Sequence, residues 1–260
     1  MKKQDQFGTR EWAAKTINCC DGCSNNCRYC YAREMAVRFN RLTPQDWLHE
    51  EVRQKDVDRK YRKFKGNVMF PSSHDITPAN LEACLTVLGK LLDAGNDVLI
   101  VSKPRVACIG RICDLFTKYK DQILFRFTIG AMNNEVLSFW EPGAPVYEER
   151  KAALFNAFCA EFQTSVSIEP MLDAKNVVNL VHDLEIFTTE SIWIGKMNRM
   201  RKNIVIDSAK AAEAVREIER GQSDAAIWGI YEILENHPLI KWKESIRKIV
   251  HIDDFDDIPF

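Results

Sequence analysis

Between Gly22 and Tyr31 the chain reads Gly-Cys23-Ser-Asn-Asn-Cys27-Arg-Tyr-Cys30-Tyr, which places three thiols within eight residues. Thiolates are soft ligands, and this spacing lets them close around one metal centre with little loop entropy. A structural zinc wants four ligands in two pairs, and no second Cys or His pair follows at a suitable spacing. Three thiolates suit a cubane iron-sulfur cluster that keeps one iron open, whereas ordinary ferredoxin clusters take four. Cys19 and Cys20, just upstream, are either further ligands or small thiols packed at a strand end, and the second reading is preferred. Cys84, Cys108, Cys113 and Cys159 fall in helical patterns and read as core residues.

The elements that position these thiols follow from periodicity. Short β-branched runs near residues 14–18, 67–71, 97–103, 123–129, 164–169 and 191–196 alternate with longer helical patterns, as in βα units around a parallel sheet. Val98-Leu-Ile-Val101 is apolar on both faces, as expected of a strand covered by helices on one side and a core on the other. Six such units fall short of the eight of a closed barrel, so the expected fold class is α/β, a partial (βα)6 TIM-type barrel. The expected domains are the barrel over residues 1–202 and a C-terminal helical extension over 203–260, with a helix from 239 to 250 and an acidic tail, Asp253-Asp-Phe-Asp-Asp257.

Composition narrows the function classes. The 260 residues carry 36 Lys+Arg against 37 Asp+Glu, which excludes a uniformly basic nucleic-acid binder but not a local basic patch. No apolar run approaches the length of a membrane span, and Met1-Lys-Lys-Gln-Asp-Gln has no apolar block behind it, so a cytoplasmic location is expected. Nine cysteines in a reducing compartment point to metal or redox use of some thiols rather than to disulfides.

The C-x3-C-x2-C spacing, with an aromatic before the third cysteine, resembles the radical S-adenosylmethionine (SAM) superfamily. Trp140-Glu-Pro-Gly-Ala-Pro145 with Arg150, Phe-Arg-Phe-Thr128 and Tyr-Cys-Tyr31 are similar to the spore photoproduct lyase-like branch. Ser-Ile-Glu169-Pro-Met-Leu172 is similar to a phage-associated radical SAM family of unknown function. The resemblance spans about residues 14–200. It implies that Cys23, Cys27 and Cys30 hold a [4Fe-4S] cluster whose fourth iron is chelated by SAM, and that Tyr29 packs near the adenine. It places a Gly-Gly-Glu-like segment for the SAM amino group after the second strand; the literal motif is absent, and Pro71 to Ser73, with the side chains of Ser73, His74 and Asp75, stand there instead. For His74 a local loop hydrogen bond competes equally.

Further along, Val101-Ser-Lys103 delivers a cation to the barrel mouth, where Lys103 suits the SAM carboxylate. Arg126 and Thr128 share one face of the fourth strand, and Thr128 is a candidate for a ribose hydroxyl. Glu169 ends the fifth strand and either contacts SAM or substrate or makes a salt bridge to Arg126 or Lys196.

The implied activity is reductive cleavage of SAM to methionine and a 5′-deoxyadenosyl radical, with an electron from flavodoxin or ferredoxin, in a lyase or transferase. Two basic runs keep a DNA or RNA substrate open: one from Arg53 to Lys65, and a better placed one comprising Lys196, Arg199, Arg201 and Lys202. Spore photoproduct lyase uses a cysteine near the second strand as hydrogen donor, and none stands there in this chain. The competing readings are an iron-sulfur electron carrier with a fourth ligand at Cys19 or Cys20, and a zinc-containing nucleic-acid-binding module.

Overall fold

The computed structural model describes residues 8–200 and 204–252. Seven strands form one sheet in the order β1-β4-β5-β6-β7-β8-β9, and every neighbouring pair is parallel. The strands are β1 (Lys15–Thr16), β4 (Val68–Met69), β5 (Val98–Ser102), β6 (Ile123–Thr128), β7 (Gln163–Ile168), β8 (Ser191–Ile194) and β9 (Ile240–Trp242). The first six match the six expected strand positions. A separate antiparallel ribbon joins β2 (Cys20–Asp21) to β3 (Glu51–Val52). No helix among the described residues is long and apolar enough to cross a membrane.

Helices fill the connections: α1 (Tyr31–Arg38), α2 (Gln54–Asp58), α3 (Leu81–Asp93), α4 (Val106–Phe116), α5 (Asn134–Trp140), α6 (Tyr147–Cys159) and α7 (Val177–Leu184). After residue 204 come α8 (Ala209–Gly221), α9 (Asp224–Leu234) and α10 (Glu244–Val250). Ser208 caps α8 by accepting from the Ala211 N–H at 3.1 Å, and Ser223 caps α9 in the same way. The expected helix over 239–250 is corrected at its start. Ile240 and Trp242 are buried with Lys241 between them, the alternation of a strand, and they pair with β8. The expected acidic tail lies outside the described residues.

Alternation along the strands separates two cores. Ile100, Phe125, Phe127, Val166, Ile168 and Ile192 face outward and meet Leu88, Leu91, Ile109, Ile112, Leu154 and Leu180 of the helices. Residues of the opposite parity face the lumen, where Met69, Leu99 and Leu124 join Ala13 in a small apolar floor. Cys84, Cys108 and Cys113 are buried as expected, but Cys159, the last residue of α6, is exposed.

Candidate functional site

The three-cysteine loop is fixed from both sides by glycines that nothing larger could replace. Gly22 follows β2 at φ +81°, and a Cβ there would sit 2.1 Å from the His49 carbonyl oxygen. Gly143 of the Glu-Pro-Gly segment packs so closely that a Cβ would sit 2.1 Å from the Ser24 carbonyl oxygen. The Gly143 N–H donates to the Asn25 carbonyl at 3.0 Å, and Arg28 N–H donates to that of Trp140 at 2.8 Å. Arg105 ties the two segments together, donating to Asn25 Oδ1 at 3.0 Å and to the Gly143 carbonyl at 2.7 Å. Cys30 then caps α1, its Sγ accepting from the Arg33 N–H at 3.4 Å.

Cys23 and Cys27 are buried and Cys30 is partly so. Burial pushes all three thiols up, Cys27 to about 12. Protein alone therefore keeps these sulfurs protonated, and a soft metal centre would take the place of the protons. Among the described residues their sulfurs do not form a set lying within 4.8 Å of one another. Thiolates bound to one tetrahedral zinc at ~2.3 Å lie roughly 3.8 Å apart. Three soft thiols with no fourth cysteine in the loop make a donor set that would suit an iron-sulfur cluster with one open iron.

Beside the loop lies a buried set of opposite charges. The Asp75 carboxylate accepts from Asn25 Nδ2 at 2.8 Å, Ser102 Oγ at 3.1 Å and the Lys103 N–H at 2.7 Å, and Cys23 Sγ lies 3.9 Å from it. Lys103 Nζ is 3.6 Å from Asp75 Oδ2 and 4.0 Å from Glu141 Oε1. Glu141 pairs with Arg150 at 2.6 Å, both side chains fully inaccessible, and accepts from the Tyr29 hydroxyl. Burial pulls Lys103 toward neutrality, but the Asp75 carboxylate outweighs it, with help from Cys27, Tyr29 and Glu141, and holds the ammonium charged. For Asp75 burial is likewise opposed, by Lys103 and the donors around it, which keep the carboxyl below its ordinary range. Burial and Glu141 keep Tyr29 protonated and donating.

The other expected residues divide. Thr128 is buried on the lumen face of β6, in register with Ser167 of β7, whose hydroxyl is buried without a hydrogen-bond partner among the described residues. The Ser73 N–H donates to Asn18 Oδ1 at 2.9 Å, which anchors the loop after β4. His74 is committed to backbone: the Cys19 N–H donates to Nε2 at 3.3 Å and Nδ1 faces the Asp75 carbonyl at 3.1 Å. The Asp75 contact is the local hydrogen bond that the competing reading expected, while the Cys19 contact reaches a residue 55 positions away. Glu169 pairs with Lys243 at 3.5 Å rather than with Arg126 or Lys196. Gly195 makes this approach possible, because a Cβ there would lie 2.8 Å from Lys243 Cγ. Arg126 is instead held between the rings of Trp12 and Trp193, 4.8 and 5.2 Å from their centroids.

Cys19 Sγ meets Cys84 Sγ at 3.8 Å in the outer core, and Cys20 Sγ donates to the Asp21 carbonyl, so each is engaged away from the three-thiol loop. Sequence reasoning missed the buried partners Asn25, Ser102, Glu141, Arg150 and Lys243. The signal for one pair was present: Glu141 and Arg150 flank the Pro-Gly-Ala-Pro turn that brings them face to face. Of the second basic run, Arg201 and Lys202 lie outside the described residues.

A second cluster, His182, Glu185 and His237, brings its ligand atoms within 4.8 Å. The Leu239 N–H donates to His237 Nδ1 at 3.3 Å, which puts the ring proton on Nε2 facing Glu185. It is a hydrogen-bonded brace between α7 and the turn before β9.

This architecture is a partial parallel barrel with helices packed on its outer face. The structure is similar to spore photoproduct lyase: a doubly substituted form with bound AdoMet and dinucleoside spore photoproduct aligns with a TM-score of 0.57 at 14% identity, over 92% of this chain and 78% of that one. The lyase complexed with the dinucleoside lesion alone aligns with a TM-score of 0.53 over the same shares and at the same identity. In sequence, the uncharacterized protein ORF301 of Acidianus two-tailed virus is 27% identical over 197 residues, 71% of this chain and 64% of that protein. The matched region thus spans less than two thirds of that viral relative. No family model matches the chain.

Proposed function

We propose that the chain is a radical SAM enzyme acting on a nucleic-acid-related substrate. The observation that carries this reading is the convergence of the three thiols, two buried and Cys30 partly so, with the Asp75–Lys103–Glu141 charge set at the strand ends of a lyase-like barrel. Cys23, Cys27 and Cys30 would hold a [4Fe-4S] cluster, which with SAM supplies one-electron cleavage to a 5′-deoxyadenosyl radical. Lys103 offers a charge to the SAM carboxylate, and Asp75 accepts from its ammonium group. Tyr29 lines the adenine side, Thr128 and Ser167 offer hydroxyls to the ribose, and Glu169 orients cofactor or substrate from the opposite wall. Before SAM or a cluster is counted, two carboxylates and two cations balance, so the pocket suits the zwitterionic amino-acid end of SAM without stranding a charge. The chain's own contribution is orientation and exclusion of water around the radical. The nucleic-acid reading draws on the lesion bound by the solved lyase. The electron donor would be reduced flavodoxin or ferredoxin, in a cytoplasmic setting.

The test is anaerobic iron-sulfur reconstitution of the wild type and of a Cys23→Ala/Cys27→Ala/Cys30→Ala variant, followed by assay for 5′-deoxyadenosine. The wild type is expected to bind iron and cleave SAM while the variant does neither. Equal cleavage by both would overturn the proposal.

A further inference from the structure

The basic run after β3 is largely solvent-exposed, but part of it turns inward on a concavity. Arg53, Arg59, Lys60 and Arg62 of that run line a groove of about 560 Å³ beside β1, an edge strand of the sheet. Lys15 lines it too, against one carboxylate, Asp56. That carboxylate is already spent, paired with Arg53 at 2.7 Å and lying 3.9 Å from Arg59. Arg53 is itself occupied, bonded to Asp21 and to the Asn18 carbonyl. Lys60 and Arg62 have no carboxylate partner among the described residues, and Lys15 stands 5.9 Å over the Phe64 ring. Like charges gathered in one concavity repel one another and cost stability, so an anionic occupant has much to neutralise there.

Two further features choose among anions. Tyr61 and Phe64, both half-buried, put aromatic rings among the cations, the pairing that takes bases by stacking while the backbone is neutralised. Asn18, just after β1, also lines the groove, and its side chain binds Ser72 and Ser73 on the loop leading to Asp75. A chain lying in the groove is therefore led toward the barrel mouth. The volume suits a site for a small ligand or a short stretch of strand rather than a duplex.

We infer that this groove binds a single nucleic-acid strand, its phosphates on Lys15, Arg59, Lys60 and Arg62 and its bases against Tyr61 and Phe64. The inference rests on the nucleic-acid reading proposed above. It assigns the strand to the first basic run, whereas the sequence alone favoured the second.

The experiment measures binding of a labelled ten-nucleotide single strand to the full reconstituted chain by fluorescence anisotropy, between 50 and 200 mM salt. Three proteins are compared: the wild type, a groove variant with Lys15, Arg59, Lys60 and Arg62 replaced by Gln, and a control with the exposed Arg111, Lys118, Arg216 and Arg220 replaced by Gln. Four lost phosphate contacts should flatten the slope of log affinity against log salt by about 3, so that wild-type affinity falls roughly 50-fold further than the groove variant's across that range. The control should retain the wild-type slope. If the control loses as much as the groove variant, the binding is diffuse attraction and the inference fails. It fails equally if poly-glutamate of matched charge competes as well as an unlabelled strand, since the aromatic rings would then count for nothing. SAM cleavage without substrate, measured on the same proteins, separates the two proposals. It should be unchanged in the groove variant, and its absence from the wild type would overturn the enzyme reading while leaving the strand-binding result to stand on its own.

Discussion

The floor and the mouth of the barrel lumen are built from the same strands two residues apart. On β5 Leu99 lies in the floor and Val101 above it, with Lys103 following at the strand end; on β6 the succession is Leu124, Arg126 and Thr128. The floor is apolar and closed by Ala13 and Trp12. At the mouth Glu141 and Arg150 are buried as deeply and Asp75 and Lys103 nearly so, yet all four are charged, each satisfied by an opposite charge or a directed donor. Deep burial of apolar groups stabilises wherever it occurs, whereas buried charge is stable only as a complete set. The floor should therefore behave as structure alone, and the mouth as structure and chemistry together.

The largest expected effect comes from opening that set. Arg150→Met leaves Glu141 buried without its cation, and also removes the bonds from Arg150 to the Pro145 and Thr128 carbonyls. Loss of one partner of a buried pair costs about 3–5 kcal/mol. Urea denaturation should show that loss, and iron retention should fall with it, because Glu141 also holds Tyr29 and faces Lys103. A stable variant with full iron content would show that the mouth is not coupled in this way.

Leu124→Ala at the floor probes the other end. Truncating a buried leucine costs about 2–5 kcal/mol through lost burial and the cavity left behind. Leu124 packs in the floor cluster with Ala13, Met69 and Leu99, so iron per folded molecule and SAM cleavage should stay at wild-type values. A fall in either at temperatures where the variant is folded would erase the distinction between the two ends.

Gly143→Ala should separate the terms in the opposite sense. The added methyl meets the Ser24 carbonyl, so the three-cysteine loop must shift while the barrel core is untouched. Because the clash is with backbone, a stability loss of about 1–3 kcal/mol is expected, the scale of overpacking, carried by the loop rather than by the floor. Iron bound after reconstitution should drop severalfold, and an unchanged iron content would mean that the loop tolerates displacement.

How much of this was legible in the sequence depends on how local each feature is. The three cysteines, the six barrel strands and Lys103 announce themselves through spacing and alternation within a few residues. β9 did not, because three residues of alternation beside a strong helical pattern are too short to outweigh it, and only pairing with β8 reveals them. His74 sat in the expected loop, but a side chain's direction is set by its contacts, here the Cys19 N–H some 55 residues away. The partner of Glu169 is Lys243 for the same reason: the chain returns to the mouth only after α9, and nothing near residue 169 foretells it. Site residues supplied by distant segments are those that sequence periodicity leaves out.

The smallest effect tests whether the mouth's charges matter because they are paired or because they are buried. Asp183 and Lys151 form an ion pair at 2.6 Å on the outer helices, with about a third of each side chain accessible. The contact is as short as that between Glu141 and Arg150, but water reaches it. The hydrogen bond from Lys151, then that from the Tyr147 hydroxyl, holds the Asp183 carboxyl below its ordinary range. A depressed carboxyl contributes stability that is present above its unfolded value, near ~3.9, and is lost as pH falls through its lower folded value. Lys151→Met should therefore cost only about 0.5 kcal/mol at neutral pH, the scale of an exposed pair. The difference from wild type should vanish in urea titrations run below the folded value of Asp183. A cost approaching that of Arg150→Met would show that geometry alone sets the worth of these pairs, and the contrast drawn from burial would have to be given up.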